Sequence, residues 1–158
     1  MYNDNRKKYL GGFMNILFFL TPKSEVAHVY NDDTLRQVIE KVDYHKYTAI
    51  PMLNKHGKYV GTVTEGDLLR YIKSRYTLTV KDAEETCISR VPLRWKYHTV
   101  DINCKMEDLI DVAMKQNFVP VVDDADNFIG IIRRSDIIHY CYNKYKAAAE
   151  ECQKNCQE

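Results

Sequence analysis

The sequence lacks a net charge of either sign. Its 23 lysine and arginine residues nearly balance 22 aspartate and glutamate residues, which leaves a formal charge of +1 at pH 7. A protein that binds nucleic acid through a basic surface carries a clear excess of positive charge. We therefore expect no nucleic acid among the partners of this chain.

The cysteines lack a pairing pattern. Five are scattered along the chain, and none belongs to a CxxC motif. An odd number without regular spacing argues against a disulfide framework and favours reduced thiols in a cytoplasmic protein. Cys152 and Cys156 lie one helical turn apart, but no histidine pair lies near them, so we expect no metal site and no cofactor.

The sequence has no hydrophobic run long enough to cross a membrane. The longest, Leu10 to Leu20, follows three basic residues and so resembles a signal peptide. It is too short to span a bilayer, and no small-x-small cleavage site follows it. We expect instead a flexible lead over residues 1–13, an N-terminal helix that docks Ile16, Leu17 and Leu20 into the core, and no membrane partner.

The feature that the sequence does contain is a repeat. Residues 61–67 are GTVTEGD, and residues 130–136 are GIIRRSD. In each copy a glycine opens a β-branched stretch, a polar residue ends it, and an aspartate follows three positions later. The pattern predicts a strand followed directly by a helix. Free N–H groups at such a helix start suit a phosphate group.

The elements around the two motifs recur in the same order. Equivalent positions lie 71 residues apart at the start of each copy and 69 apart from Pro51 and Pro120 onward. This agreement indicates an internal duplication and an α/β (α+β) fold of two tandem β-α-β-β-α repeats. Neither proline can donate to a sheet ladder, so each should lie where its sheet opens. In the first repeat, the predicted strands are at 26–29, 49–53 and 59–64, and the predicted helices begin at Leu35 and span 65–74. In the second repeat, the predicted strands are at 98–100, 118–122 and 128–133. Its predicted helices are at 106–114 and from Arg134 to about Tyr145, extending into the tail.

The two copies resemble a tandem pair of CBS domains, known as a Bateman module. The matching stretches are residues 47–53 with 61–67, and residues 117–123 with 130–136. The resemblance covers about residues 16–142. It implies a first repeat at 14–74, a linker at 75–94, a second repeat at 95–145 and a polar tail at 146–158.

The resemblance also implies a cleft between the repeats that binds an adenine nucleotide of the AMP, ADP or ATP class. The aspartate at each helix start would hold the ribose hydroxyls, and the strand before each proline would contact adenine. The cations Lys23, Arg94, Arg133 and Arg134 are available for phosphate. The implied ligand-binding residues are Thr21, Lys23, Tyr47, Thr48, Ala49, Ile50, Pro51, Thr64, Asp67, Arg94, Asn117, Phe118, Val119, Pro120, Arg133 and Asp136.

Two features of the motifs leave alternatives open. Thr64-x-x-Asp67 is also a helix cap with an acidic first turn, which needs no ligand. Arg133 replaces the hydroxyl that is usual in the family, so the two sites need not bind the same ligand.

The function has alternatives of its own. The resemblance implies a regulatory homodimer that signals to an unidentified effector protein. The alternatives are a ligand-free dimerisation or docking scaffold, and a sensor of cyclic di-AMP or S-adenosylmethionine. We expect no enzyme, because the sequence shows no nucleophile with a base, no metal cluster and no glycine-rich phosphate loop.

Overall fold

The computed structural model describes residues 15–75 and 77–155. Its strands form one sheet in the order β1-β7-β6-β5 and another in the order β2-β3-β4. This arrangement confirms the predicted α/β class with two β-α-β-β-α repeats. The elements are β1 (Leu20–Pro22), β2 (Val29–Tyr30), α1 (Leu35–His45), β3 (Ala49–Leu53), β4 (Tyr59–Thr64), α2 (Glu65–Lys73), α3 (Val80–Glu85), β5 (Val100–Asp101), α4 (Met106–Ala113), β6 (Phe118–Val122), β7 (Phe128–Arg133) and α5 (Arg134–Asn155).

The two long hairpins have the same register. Ala49 lies opposite Thr64 in the first, and Phe118 lies opposite Arg133 in the second. A bulge interrupts both ladders before the last residue of β3 and of β6. The two repeats therefore share the strand register of their hairpins as well as their sequence pattern.

The two prolines lie where their sheets open, as predicted. β2 pairs with β3 only at Met52 and Leu53, so Pro51 has no strand partner on that side. β5 pairs with β6 only after Pro120, at Val121 and Val122. The sheet edge before each pairing begins is therefore free of a second strand.

The prediction of an N-terminal helix is wrong. Ile16–Phe19 is a single 3-10 turn capped by Asn15, and β1 follows it at once. β1 pairs antiparallel with β7, which satisfies its backbone groups in a sheet instead of a helix. Of the three side chains expected in the core, Ile16 is buried, Leu20 is half-buried and Leu17 is exposed.

The first strand of each repeat also lies later than predicted. β2 occupies Val29–Tyr30 instead of 26–29, because a 3-10 turn at Lys23–Glu25 precedes it. β5 occupies Val100–Asp101 instead of 98–100. The helix starts were more predictable: α1 begins at Leu35 as expected, with a capping box between Thr34 and Gln37.

The segments that precede the two repeats are exchanged between them. Ile16 packs in the core of the second repeat, although it precedes the first. Ala83, Ile88 and Val91, which precede the second repeat, pack in the core of the first. Helix α3 lies in this same linker. Each repeat therefore completes its core with chain that precedes the other.

A third apolar cluster joins the two repeats. Ala49 and Leu53 of β3 pack there with Phe118, Phe128 and Ile131 from β6 and β7. Every residue of β3 and of β6 is buried. Within the described ranges 15–75 and 77–155, no helix has the length and apolarity needed to span a membrane.

Candidate functional site

The two repeated motifs place their strand–helix junctions side by side. The backbone N–H of Glu65 donates to the carbonyl of Thr48, and that of Arg134 donates to the carbonyl of Asn117, both at 3.1 Å. The amide of Asn117 in turn donates to the hydroxyl of Thr48 at 3.4 Å. The start of each helix is thus hydrogen-bonded to the residue that precedes β3 or β6. Those two residues, Thr48 and Asn117, contact each other across the repeats.

Asp67, in the first junction, is buried and fully hydrogen-bonded. One carboxylate oxygen accepts the backbone N–H of Thr64 at 3.0 Å and its hydroxyl at 2.7 Å. The other accepts the guanidinium of Arg70 at 2.6 Å and the backbone N–H of Arg94 at 3.1 Å. With 1 % of its surface exposed, Asp67 both caps α2 and anchors the linker to it.

These hydrogen bonds set the charge state of Asp67. Burial by itself opposes ionisation of the carboxyl. The Thr64 hydroxyl, the two backbone N–H groups and Arg70 outweigh burial and hold the pKa of Asp67 below its usual value. Asp67 is therefore an ionised side chain at neutral pH, with its negative charge satisfied inside the protein.

A cavity of ≈ 670 Å³ lies beside Asp67, between α2 and the linker. Four arginines line it. Of these four, only Arg70 has an acidic partner within ion-pair distance among the residues that the structure describes. Unpaired guanidinium groups around one cavity attract an anion, and their fork geometry suits phosphate. The lining residues are Asp67, Arg70, Tyr71, Ser74, Arg75, Arg90, Pro92 and Arg94.

A second cavity, of ≈ 640 Å³, shares Arg94 with the first. It lies between β4 and the following part of the linker and includes Tyr59, Trp95 and Tyr97. The guanidinium of Arg94 lies 5.7 Å from the ring centre of Trp95, which is 65 % exposed. An aromatic surface thus adjoins the arginine-lined cavity, and aromatic faces can stack with a nucleobase.

Tyr97 is a candidate site residue that the sequence interpretation missed. Its ring centre lies 5.2 Å from that of Phe118. Burial raises the pKa of Tyr97, and the negative charge of Asp67 adds to the effect, while Asn117 and Arg134 oppose it. The available signal was the Trp-Lys-Tyr sequence directly after the linker.

The second junction is more open than the first. Asp136 is half-buried, and no hydrogen bond or ion pair joins its carboxylate to another residue within 15–75 and 77–155. Arg133 is exposed, and no ion pair connects it with Asp126. Arg134 donates to the side-chain oxygen of Asn117 at 2.8 Å. The aspartates of the two motifs therefore differ: Asp67 is satisfied internally, and Asp136 is available.

Thr21 and Lys23 lie away from the helix starts. Thr21 is paired with Ile131 in the middle of β7. The amino group of Lys23 lies 3.2 Å from the point where a side chain at Gly57 would begin. Gly57 belongs to the turn before β4, whereas the helix starts follow the ends of β4 and β7. Lys23 is thus separated from Asp136 by most of the length of β7.

A family model of the CBS domain matches residues 19–74 and 80–143, which together make up most of the chain. The chain belongs to the CBS-domain family. The two matched segments agree with the two structural repeats, so the protein is a tandem CBS protein.

Proteins and structures similar to this CBS protein differ in sequence but share its fold. An uncharacterized protein of Methanocaldococcus jannaschii is 28% identical over 139 residues, which covers 70% of this chain and 82% of the relative. A crystal structure of CbpB in complex with c-di-AMP has a TM-score of 0.76 at 22% identity and covers 88% of this chain and 91% of its own. A crystal structure of CBSX2 in complex with AMP has a TM-score of 0.67 at 20% identity and covers 85% and 99%.

The remaining predicted residues lie on the two central CBS strands. Ala49, Ile50 and Pro51 are buried, and the backbone edge before Met52 has no second strand. Phe118, Val119 and Pro120 are buried in the same way, but the carbonyl of Phe118 accepts a bond from Gln116 at 3.0 Å. The equivalent of Gln116 is Tyr47, which packs half-buried against the first core. The two strand edges are thus not equally accessible.

The cysteines do not form a metal site in the part of the chain that the structure describes. No group of three or more histidine, cysteine, aspartate or glutamate side chains comes together within residues 15–75 and 77–155. Cys152 is exposed on α5. Cys156, its possible companion, lies outside the described residues.

Proposed function

We propose that this CBS protein is a regulatory module that binds an adenine nucleotide in the cavities beside Asp67. The observation that carries the proposal is the group of four arginines around one cavity, next to an exposed tryptophan. A nucleotide combines a negatively charged part with an aromatic part. Arg90 and Arg94 would hold the phosphate, and Trp95 and Tyr97 would contact the base.

Asp67 would take part through an exchange of partners. A carboxylate suits the two hydroxyls of a ribose, but both oxygens of Asp67 already accept bonds from the protein. A ribose could take the place of Arg70, whose side chain is mostly outside the core. Arg70 would then be released to join the phosphate. Binding would thus exchange one charge-assisted hydrogen bond for another.

The linker would carry the signal between the repeats. The backbone N–H of Arg94 bonds to Asp67, and three residues later the ring of Tyr97 packs against Phe118 of the second repeat. A ligand that bound one position of this segment better than another would shift the population of repeat arrangements. The output would pass to an effector protein, and no catalytic step is assigned to the chain.

Similar structures are consistent with an adenine-containing ligand. CbpB binds c-di-AMP and CBSX2 binds AMP in the structures with this fold. Both ligands carry phosphate, which fits the arginine cluster. S-adenosylmethionine carries a positively charged sulfonium, which the same arginines would repel. AMP, ADP, ATP and c-di-AMP are therefore the ligands to compare.

The protein would act as a homodimer. Leu69 and Ile72 on α2, and Ile138 on α5, expose apolar side chains, and Leu69 and Ile138 are equivalent in the two repeats. Burial of such side chains in an interface is favourable. A scaffold that only dimerises is the alternative function, and it predicts no response to nucleotides.

Calorimetric titration with AMP, ADP, ATP and c-di-AMP tests the proposal. Arg90→Gln should weaken phosphate-ligand binding by about 1.5–3 kcal/mol, which corresponds to roughly 10- to 150-fold in Kd. Arg133→Gln is the matched control, because it removes the same charge from the other junction. A larger effect of Arg133→Gln would move the site to Asp136. No binding by the wild-type protein to any of the four would favour the scaffold.

A further inference from the structure

Helix α5 is much longer than its counterpart in the first repeat. α5 has 22 residues and α2 has 9. At 1.5 Å per residue, α5 is about 33 Å long. Ile137, near its start, is buried in the core of the second repeat. After Ile137, no described side chain of α5 is buried or belongs to one of the three apolar core clusters.

One side of α5 carries a continuous row of apolar side chains. The row consists of Ile138, Tyr142, Tyr145, Ala149 and Cys152, at alternating spacings of four and three residues. Ile138 and Tyr142 are each 60 % exposed and Tyr145 is 73 % exposed. We call this row the α5 seam. The same spacing continues in the sequence to Cys156, which lies outside the described residues.

The α5 seam has the geometry of one helix of a coiled coil. Alternating four- and three-residue spacing gives a repeat of 3.5 residues, which keeps a seam in contact with a second helix. Ile137 and Tyr140 mark the side of α5 that faces its own repeat, since Ile137 is in the core and Tyr140 packs on Phe19. In a helix of 3.6 residues per turn, the seam lies on nearly the opposite side.

We propose that a second copy of this chain covers the α5 seam, with the two α5 helices parallel. A helical stretch of about a dozen residues is marginal in water without packing, so the second half of α5 needs a partner. A parallel copy places each seam residue against itself. The flanking residue Lys146 would then lie opposite uncharged Cys141 of the other copy. An antiparallel pair would instead bring such flanking lysines together.

Sedimentation of two variants of the full chain tests this pairing. Each variant carries one added charge, on a different side of α5. Tyr145→Glu places a carboxylate in the seam, and it should raise the dimer Kd at least tenfold without loss of folding, because Tyr145 is exposed. Asn143→Glu adds the same charge at an exposed position on a different side of the helix and should leave the dimer unchanged. A wild-type monomer, or a dimer that survives Tyr145→Glu, would overturn the proposal. The second result would assign the dimer to the faces around Leu69.

Thiol cross-linking tests the parallel direction. Diamide should convert the wild-type protein to a disulfide-linked dimer, visible on a non-reducing gel, because Cys152 of each copy would meet its equivalent. The double variant Cys152→Ser, Cys156→Ser should stay unlinked. Cys141→Ser, which removes an exposed thiol of the same helix beside the seam, should link as the wild type does. Linking that depends on Cys141 instead would contradict the parallel seam.

Discussion

Asn117 donates its side-chain amide to the hydroxyl of Thr48, which is its own equivalent in the other repeat. Equivalent residues can touch only where they lie near the axis that relates the repeats. Lys58 and Asn127 form a backbone bridge in the same way. The rings of Tyr59 and Phe128 stack at 6.3 Å. All three pairs are 69 residues apart, and they mark a pseudo-twofold axis through the contact between the repeats.

Replacement of Asp67 should destabilise the fold. Asp67→Ala would leave the Arg94 N–H and the Thr64 groups without an acceptor, at a cost of about 1–3 kcal/mol in the free energy of unfolding. Urea denaturation measures this cost. Asp82→Ala is the matched control, since Asp82 forms the same type of capping box with Thr79 on an exposed surface. An equal loss in both variants would show that burial of Asp67 adds nothing.

Stability should fall in acid partly through Asp67. Its pKa is lower in the folded protein than the usual value of about 3.9, so the unfolded chain binds the proton more strongly. The stabilisation is therefore complete above about pH 4 and is lost as pH falls through the folded pKa. The stability difference between wild type and Asp67→Asn should shrink over that range. A constant difference between pH 7 and pH 2 would contradict the lowered pKa.

Gly130→Ala should cost more stability than Gly61→Ala. A Cβ at Gly130 would lie 2.2 Å from the backbone carbonyl of Thr21, which is held in the β1–β7 ladder. A Cβ at Gly61 would lie 2.7 Å from a methyl group of Leu93, and a side chain can turn away. We expect about 1–3 kcal/mol for Gly130→Ala and less for Gly61→Ala in thermal unfolding. The reverse order would show that β1 detaches easily.

The fluorescence of Trp95 should report nucleotide binding. Trp95 is the only tryptophan of the chain, is mostly exposed, and lies under the guanidinium of Arg94. A stacked base should change its emission, with the same midpoint as the calorimetric titration. Inorganic phosphate is the control, since it would occupy the arginines without a base. Binding without any emission change would place the base away from Trp95.

The sequence predicts the parts of the fold that repeat. The same offset of 69 residues separates Pro51 from Pro120 and Gly61 from Gly130. Equivalent residues therefore occupy equivalent places in the two hairpin ladders. The exchange of leading segments was not predictable in this way. The pairing of Thr21 with Ile131 depends on residues far apart in the chain, and local periodicity contains no information about such contacts.

Of the residues that line the arginine-rich cavity, the sequence-based list contains Asp67 and Arg94. Asp67 and Asp136 occupy equivalent motif positions, and the sequence predicts similar surroundings for both. They differ because the backbone N–H of Arg94, 27 residues beyond Asp67, reaches its carboxylate. A backbone donor has no sequence signature. Tyr97 was missed for a related reason, since its place beside the candidate site depends on packing against Phe118, which lies in another element.

The exchange of leading segments has a consequence during synthesis on the ribosome. β1 leaves the exit tunnel early, but its partner β7 is translated more than a hundred residues later. The nascent first repeat can close its own core only after residues 83–91 have emerged. The second must then fold around β1, which was translated more than a hundred residues before β7. A product released at the start of the linker would contain the complete β2-β3-β4 sheet, but the core beneath that sheet would lack residues 83–91.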